Sequence, residues 1–448
     1  MLVESEAVAV AKDLLPKLKR ESARLTRLDK FLRGEQAPAK LPRSATPERK
    51  ALAELSKSPW LGLVVTTLAQ AMFVDGHRVP DDKENSQQWK TWLANNFAAR
   101  QIAVHRAALA YGYSFTVVTP GVDTFGQTQS VIRGVSPRRM FAAYEDPAED
   151  EWPIYALRDD LGGRLRLYDD HLVHRLRRSG SDEIVHDGFE VHDAGVCPVI
   201  RYAPDLDLEG RATGQVAPFI STAARIDKTI DDRLQAQHFN SWKVRTATGM
   251  AEPDTEEEAN RAKLKLRQSD LLIAEDPDTK FGTLDETPLA GFIDAAEADV
   301  DTLASVSQTP SYNLTGKMTN LAADAITAAR AAFTQKVFEI TTSLGVSHNQ
   351  TLRLSALLEG DYAAAGDVQA GVTWQDLEVR SLAQAVDALG KAAKMLGVPP
   401  QALWARIPGV TKTDVEEWSE LLLSNDPVTR YLNAQFGPDA SGDAGLGI

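Results

Sequence analysis

The spacing of apolar residues indicates helices along most of the first 110 residues. From residue 3 to residue 33, and again from about residue 82 to residue 110, apolar side chains recur every three or four positions. This spacing follows the turn of an α-helix, so each stretch predicts an amphipathic helix. The segment from Gly34 to Arg43 contains glycine and proline and ends the first helix. Another helix is predicted to begin near Ser58 and Pro59, because proline suits a first helical turn.

The pattern changes at Tyr111. Short runs rich in β-branched and aromatic residues follow, separated by Gly, Pro and Asp, and they end near Pro204. Such runs predict a mostly antiparallel β region. With helices before and after it, the chain is predicted to have an α+β fold that is predominantly helical.

Helical spacing returns in the second half of the chain. The predicted helices span residues 219–244, 288–308, 321–358, 374–396 and 412–424. Gly345 interrupts the longest of them, and we expect a kink there. The Gly- and Asp-rich residues 436–448 are predicted to be disordered.

The helix predicted at 288–308 has two different faces. Thr287 and Pro288 suit its cap and first residue. A turn of 100° per residue brings Asp294, Glu297 and Asp301 together on one face. The residues predicted to share the packing face are Leu289, Phe292, Ala296, Val300 and Leu303. One side of this helix therefore packs, and another is a stripe of carboxylates.

Polar segments flank this helix. In residues 246–287, the acidic run Glu252–Glu258 precedes the basic run Arg261–Arg267. This order complements a helix dipole and favours a short exposed helix. On the other side, Thr309–Asn320 is predicted to be a polar loop.

Composition limits the class of protein. The chain has 448 residues, of which 43% are hydrophobic and 25% charged, which is typical of a soluble protein with two or three cores. Its longest apolar runs, such as Leu61–Val65, are too short to span a bilayer. The first residues show no secretory signal, and the single cysteine, Cys197, cannot form an internal disulfide, so we expect synthesis in a reducing cytosol. The net charge of −14 argues against a surface that grips DNA throughout.

Candidate chemistry is sparse. His171 and His174 form an H-x-x-H pair, followed by His186, His192 and Cys197. On a strand, residues three apart point to opposite faces, so solvated or packed histidines are favoured over a metal site. The glycines of the segment 210–215 lack the lysine and spacing of a phosphate loop and favour a turn into a helix. We expect no catalytic residues, no metal and no cofactor, and the chain is predicted not to be an enzyme.

In the second half of the chain, a helix is followed by a charged insertion, a second helix, a polar loop and a long helix. This order is unusual, and several characteristic sequence segments accompany it. They are AYGYSFTVV (110–118), SPRRMFAAYED (136–146), LYDDHLVHRL (167–176), GVCPVIRYAP (195–204), GRATGQVAPFISTAARIDKTIDDRL (210–234) and SQTPSYNLTGKMTNLAADAITAAR (307–330). In this order they resemble the phage portal family of the SPP1 gp6-like type found in actinobacteriophages. The resemblance covers roughly residues 50 to 425.

The resemblance implies a portal fold, with wing, stem, clip and crown, that forms a ring of usually twelve subunits around a tunnel for DNA. The implied parts are a wing at 1–210, a first stem helix at 211–245, a clip at 246–287, a second stem helix at 288–308, a tunnel loop at 309–320, a long wing helix with its following loop at 321–373, and crown-like helices with a flexible tail at 374–448.

The resemblance also implies a function and site residues. The ring would be the conduit for packaging and ejecting double-stranded DNA at one capsid vertex. We expect the tunnel to be lined by Asp294, Glu297 and Asp301, and by Tyr312, Asn313 and Lys317 of the loop; a solvated outer helix face is the alternative for the carboxylates. The implied terminase and adaptor contacts in the clip are Glu256, Glu257, Glu258, Arg261, Lys263, Lys265 and Arg267.

The implied partners are further copies of the chain in a homo-oligomeric, dodecameric ring, the DNA itself, the terminase large subunit, a head-completion adaptor, and the major capsid and scaffolding proteins, with no membrane. The implied location is the portal vertex of the virion, after assembly in the host cytoplasm. Two other interpretations remain open: another ring or adaptor protein of the virion, and a metal-dependent enzyme that uses the region from His171 to His192.

Overall fold

The computed structural model describes residues 1–38, 41–79, 87–122, 125–126, 128–179, 183–241, 245–248, 280–283, 287–317, 323–375, 382–407, 410 and 412–425. The chain forms two compact units, Met1–Gln375 and Asp376–Ile448. In the described part of the chain, no helix is both long and apolar enough to cross a bilayer.

Helices make up most of the described chain. They are α1 (Glu4–Arg33), α2 (Pro47–Leu55), α3 (Trp60–Gln70), α4 (Gln87–Ala94), α5 (Phe97–Tyr111), α6 (Ile220–Asn240), α7 (Ala290–Val306), α8 (Ser311–Thr315), α9 (Ala323–Leu358), α10 (Tyr362–Gly366), α11 (Leu382–Leu396) and α12 (Lys412–Asn425), with 3₁₀ turns at Ala217–Phe219 and Pro400–Arg406. The helices expected from apolar spacing at 3–33, 219–244, 288–308 and 412–424 are confirmed within a few residues.

One helix was missed, and one predicted helix was wrong in detail. Helix α2 was not predicted, although its start carries a local signal: Thr46 accepts a hydrogen bond from the Arg49 amide at 3.2 Å, and Pro47 is the first helical residue. The helix expected at 82–110 is broken into α4 and α5. The break falls where the Asn95 amide side chain bonds the backbone of Ser130 and Ile132, and Asn96 adopts a left-handed φ of 52°.

The strands are β1 (Val74–Arg78), β2 (Ser114–Thr119), β3 (Val131–Val135), β4 (Met140–Ala143), β5 (Tyr155–Asp159), β6 (Arg164–Tyr168), β7 (Leu172–Ser179), β8 (Glu183–Val191), β9 (Val199–Tyr202), β10 (Arg245–Thr248), β11 (Lys280–Thr283) and β12 (Gly371–Trp374). The antiparallel region predicted between Tyr111 and Pro204 is confirmed, but it divides into a sheet of order β3-β2-β9 and a sheet of order β4-β5-β6-β7-β8. Strand β12, where a helix was predicted to start, pairs with β1.

Three apolar clusters hold the first unit together. Helix α1 covers one face of the five-stranded sheet, where Leu14 and Leu18 pack with Leu165 and Leu176. A second cluster lies between the two sheets. The largest surrounds α3, α5 and α9 and includes the fully buried Trp92. Burial of this apolar area is the main stabilising term for the unit.

In the second unit, two tryptophan rings pack against each other. The 3₁₀ turn places Trp404 against Trp418 of α12, with ring centroids 5.8 Å apart in an edge-to-face arrangement. Such a pair stabilises the contact beyond its buried area.

Helix α9 is continuous through Gly345, where a kink was expected. Strand β12 packs beside the glycine, and the nearest atom to an added Cβ would be Trp374 Nε1 at 3.6 Å. The side of α9 that faces the three-stranded sheet is polar as well as apolar. The Thr351 hydroxyl shares one hydrogen bond with the Thr116 hydroxyl, at 3.1 Å, and another with the Tyr202 hydroxyl, at 2.7 Å.

Two histidines meet in this interface. The Nε2 atoms of His105 on α5 and His348 on α9 lie 2.8 Å apart, and the Tyr202 hydroxyl lies 3.1 Å from His348 Nδ1. Both rings are fully buried. Desolvation lowers the pKa of His105 to about 4 and holds the pKa of His348 well below its usual value. The pair is therefore neutral at pH 7, and one ring donates to the other.

We expect this pair to make the first unit sensitive to acid. Between pH 6.5 and pH 4 the unfolded chain binds protons that the folded His105 does not, so stability falls as the pH falls, by roughly 3 kcal/mol at pH 4. The variant His105→Gln/His348→Gln keeps hydrogen-bonding groups but cannot titrate. Its free energy of unfolding, measured by urea titration followed by circular dichroism, should depend less on pH across this window. An unchanged pH dependence would contradict the role of the pair.

Candidate functional site

Helices α6 and α7 form an antiparallel hairpin. Near one end, Asp299 accepts hydrogen bonds from Arg225 at 2.8 Å and from Thr229 at 3.0 Å. Near the other end, the Asn240 side chain donates to the Thr287 carbonyl at 2.8 Å and accepts from the Thr287 amide at 3.2 Å. Polar contacts thus fix the register of the two helices at both ends.

The hairpin continues into a pair of strands. Strands β10 and β11 are antiparallel, with Arg245 opposite Thr283. The charged segment expected to dock partners lies between them. Its candidate residues Glu256, Glu257, Glu258, Arg261, Lys263, Lys265 and Arg267 lie outside the described residues.

Two buried carboxylates of α6 fasten the hairpin to the body of the first unit. Asp231 is completely buried and binds the Arg49 guanidinium of α2 with both oxygens. One turn earlier, Asp227 accepts from Gln36 at 2.6 Å and from the Ser58 amide at 3.3 Å, and burial raises its pKa. Removing one partner of a buried ion pair strongly destabilises the fold, so these contacts fix the position of α6 on the body of the first unit. Sequence reasoning assigned neither aspartate a role.

The chain enters α6 through a close backbone crossing. Gly214 lies against the end of α5, where an added Cβ would lie 2.7 Å from the Ala110 carbonyl oxygen and 2.5 Å from the Gly112 nitrogen. Gly112 itself has a φ of 96°. Glycine is needed at both positions, because no side chain fits between the two backbones. The glycines at 210–215 therefore serve a turn into a helix, as the sequence predicted.

Helix α7 divides as its pattern predicted. Val300 and Leu303 are buried, and Leu289, Phe292 and Ala296 are half-buried. The three carboxylates Asp294, Glu297 and Asp301, which we call the acidic stripe, are exposed. Asp299 is the one acid of this helix that turns inward. It lies at the edge of the apolar face on a helical projection, which is the signal that sequence reasoning missed.

The described part of the segment predicted as a polar loop, Thr309–Asn320, contains a short helix. Ser311–Thr315 forms the single-turn helix α8, because Leu314 is buried in the main apolar cluster. Tyr312 and Asn313 are half-buried. Residues 318–320 lie outside the described part.

Lys317, which follows α8, contacts the acidic stripe. Its ammonium lies 2.5 Å from Glu297 Oε1, and both side chains are more than half exposed. An exposed pair of this kind contributes at most about 1 kcal/mol. The candidate residues on α7 and those after α8 therefore lie next to each other. The ion pair between them is weak, so it can break and re-form readily.

A half-buried lysine joins three segments at the base of the hairpin. Lys336 of α9 donates to the Gln215 side chain at 2.6 Å and to the Ser307 carbonyl at 2.7 Å. Desolvation lowers its pKa to about 8. It links the approach to α6 with the exit from α7, and the sequence pattern of α9 gave no sign of it.

In the histidine region, ring nitrogens contact other side chains of the protein. His174 lies 3.2 Å from His186 and 3.3 Å from Asp169, and His171 lies 2.6 Å from Asp193. Within the described ranges, no group of three or more His, Cys, Asp or Glu side chains is arranged to hold a metal ion. Cys197 is buried, and desolvation raises its thiol pKa well above the usual value.

The comparison with protein families matches nearly the whole chain. The family described as "Phage portal protein, SPP1 Gp6-like" matches residues 11–423. With its mixed helical and β fold, the chain is a portal-type protein of a phage virion. It belongs to the SPP1 Gp6-like family of phage portal proteins. The family is structural, and its members belong to capsid-associated oligomeric rings.

A solved structure is also similar. It is titled "Virion of native gene transfer agent (GTA) particle", and it shares 14% sequence identity, with a TM-score of 0.44, over 85% of this chain and 94% of that one. No curated protein gives a significant match.

Proposed function

We propose that this chain forms the ring through which double-stranded DNA is packaged into and ejected from a phage capsid. The observation that carries the proposal is the α6–α7 hairpin of a portal-family chain, whose second helix leaves three carboxylates uncovered. In this assignment residues 1–210 and the long helix with its loop, 321–373, form the wing. Residues 211–245 and 288–308 form the stem, 309–320 the tunnel loop, and 374–448 the crown and tail.

The remaining partners follow from the same assignment. Residues 246–287 form the clip, where the terminase large subunit docks first and a head-completion adaptor later. A surface with charges of both signs gives salt-sensitive contacts, which suit partners that exchange. The capsid and scaffolding proteins surround the ring at one vertex of the virion, after assembly in the host cytoplasm.

The acidic stripe has a physical role in such a conduit. Neutralising phosphates releases counterions and makes DNA adhere. Carboxylates do the opposite, and at physiological ionic strength their repulsion extends about 8 Å. A ring lined by Asp294, Glu297 and Asp301 would keep the phosphates from adhering while a separate ATP-hydrolysing terminase moves the DNA.

The ring itself is the first test. Purified protein should yield rings of about twelve copies in negative-stain images, with a matching mass by mass photometry. Particles that hold DNA should show the duplex on the ring axis. A protein that assembles into no ring, or into rings closed along the axis, would contradict the proposal.

Neutralising the acidic stripe should make the DNA adhere. The triple variant Asp294→Asn/Glu297→Gln/Asp301→Asn should form rings but package more slowly in a defined packaging assay, most of all at low salt where phosphates are least screened. The matched control neutralises three exposed acids of β8, Glu183, Asp187 and Glu190. Equal rates for the two triple variants would show that the stripe does not face the DNA.

Two single variants distinguish a contact between Lys317 and DNA from the contact between Lys317 and Glu297. If Lys317 binds phosphate, Lys317→Gln should weaken DNA retention. Glu297→Gln frees the ammonium and should not weaken retention, even where the loss of one stripe charge slows packaging. If Lys317 acts only through the ion pair, the two variants lose the same interaction and should behave alike. Packaging rate and DNA retention of both, measured with intact rings, decide between these outcomes.

A further inference from the structure

The first unit has an apolar groove at the junction of α1, α3 and α5. Its volume is about 610 Å³, and we call it the wing groove. The side chains that line it include Leu32, Pro59, Trp60, Leu63, Thr66 and Arg106. Leu63 is 37% exposed on its floor, so apolar surface remains in contact with water in the single chain.

The outer face of α9 carries a protrusion of complementary character. Phe338 and Val346 are 64% and 65% exposed, and Thr342 lies between them at helical spacing. Glu339 lies beside Phe338. We call these four residues the wing ridge. They point away from the core, because Ile340 and Leu344 occupy the buried side of the same helix.

A chain cannot fill its own groove with its own ridge. Helix α3 packs on α1, α5 and α6, whereas α9 packs on β2, β9, α4 and β12. Between them, α5 meets α9 through the His105–His348 contact, on the buried side of α9. The wing groove and the wing ridge therefore belong to different surfaces of one unit.

We propose that the occupant of the wing groove is the wing ridge of a second copy of this chain. Phe338 enters the groove beside Leu63, and Glu339 pairs with Arg106 at its rim. Charge complementarity supports this choice of occupant. Among the residues that the structure describes, Arg106 makes no ion pair, and Glu339 contacts only the Gln335 amide, at 3.1 Å.

The geometry of such a contact is head to tail. Each copy offers one groove and one ridge, so every copy binds two neighbours through different surfaces, and the chain of contacts closes into a ring when the rotation allows. The inference rests on the proposed ring and names the surfaces that would build it in the wing. The central contact is aromatic and aliphatic with a charged rim, as in other protein interfaces.

Cysteine cross-linking tests the contact directly. Cys197 is the only cysteine and is buried, so introduced thiols react alone. The variant Leu63→Cys/Phe338→Cys, treated with a short bis-maleimide, should give a ladder of covalent multimers. A mixture of Leu63→Cys and Phe338→Cys chains should stop at dimers, and either variant alone should stay monomeric on a denaturing gel. The matched control, Leu63→Cys/Leu208→Cys, places the second thiol on a residue outside the ridge that is even more exposed than Phe338.

The outcomes separate this inference from the proposed function. Rings in negative stain without a ladder in the double-cysteine variant would overturn the groove–ridge contact and leave the ring standing. Dimers of Leu63→Cys alone, or a ladder from the Leu208 control, would also overturn it. Absence of rings in the unmodified protein would overturn both.

Charge reversal tests the rim pair. Arg106→Glu and Glu339→Arg should each weaken ring assembly at least about tenfold, because each places like charges together. The double variant should recover most of the loss. Both residues are exposed, so thermal melts of the unassembled chains should match the unmodified protein. A double variant no better than the singles would show that these two side chains do not pair.

Discussion

The packing of α9 against the three-stranded sheet and α5 determines where the rest of the first unit lies. One side of this 36-residue helix is buried, and its polar atoms meet partners on β2, β9 and α5 and the Ser130 hydroxyl just before β3. Buried polar groups destabilise a core unless they are hydrogen-bonded, so these contacts permit one register between helix and sheet. The same helix carries Lys336 toward the hairpin and the wing ridge toward the outside.

The carboxylates of the hairpin divide by environment. Asp227, Asp231 and Asp299 are wholly or mostly buried and bind named partners, which sets the position of α6 and the register of α7. Asp294 and Asp301 are exposed, and Glu297 meets only the exposed Lys317. Acidic residues in one short region thus have two uses. The buried carboxylates, which bind arginine or glutamine, fix the position of the hairpin. The exposed carboxylates give its surface a negative potential.

The sequence predicted elements whose signal is local. Apolar spacing located α1, α6, α7 and α12, and the two faces of α7 followed from the helical turn alone. Elements that depend on distant partners were missed. Strand β12 exists because β1 pairs with it, the break after α4 because Asn95 reaches β3, and α8 because Leu314 finds the main core. The Lys317–Glu297 contact requires α8 to fold back onto α7, and the hydrogen bonds of Lys336 require three segments to converge, so neither could be inferred from spacing.

Lys336 has a mechanical consequence. Its ammonium bonds the approach to α6 and the exit from α7, while Asp231 bonds α2 from the next turns of α6. These contacts hold both helices of the hairpin at the end near α9, and at the other end of the described part the two helices are joined to each other through Asn240 and Thr287. These polar contacts help to resist a sideways force on the far end of the hairpin. The hairpin should bend as one body, and Lys336, together with the apolar cluster that both share, would carry a displacement there to α9.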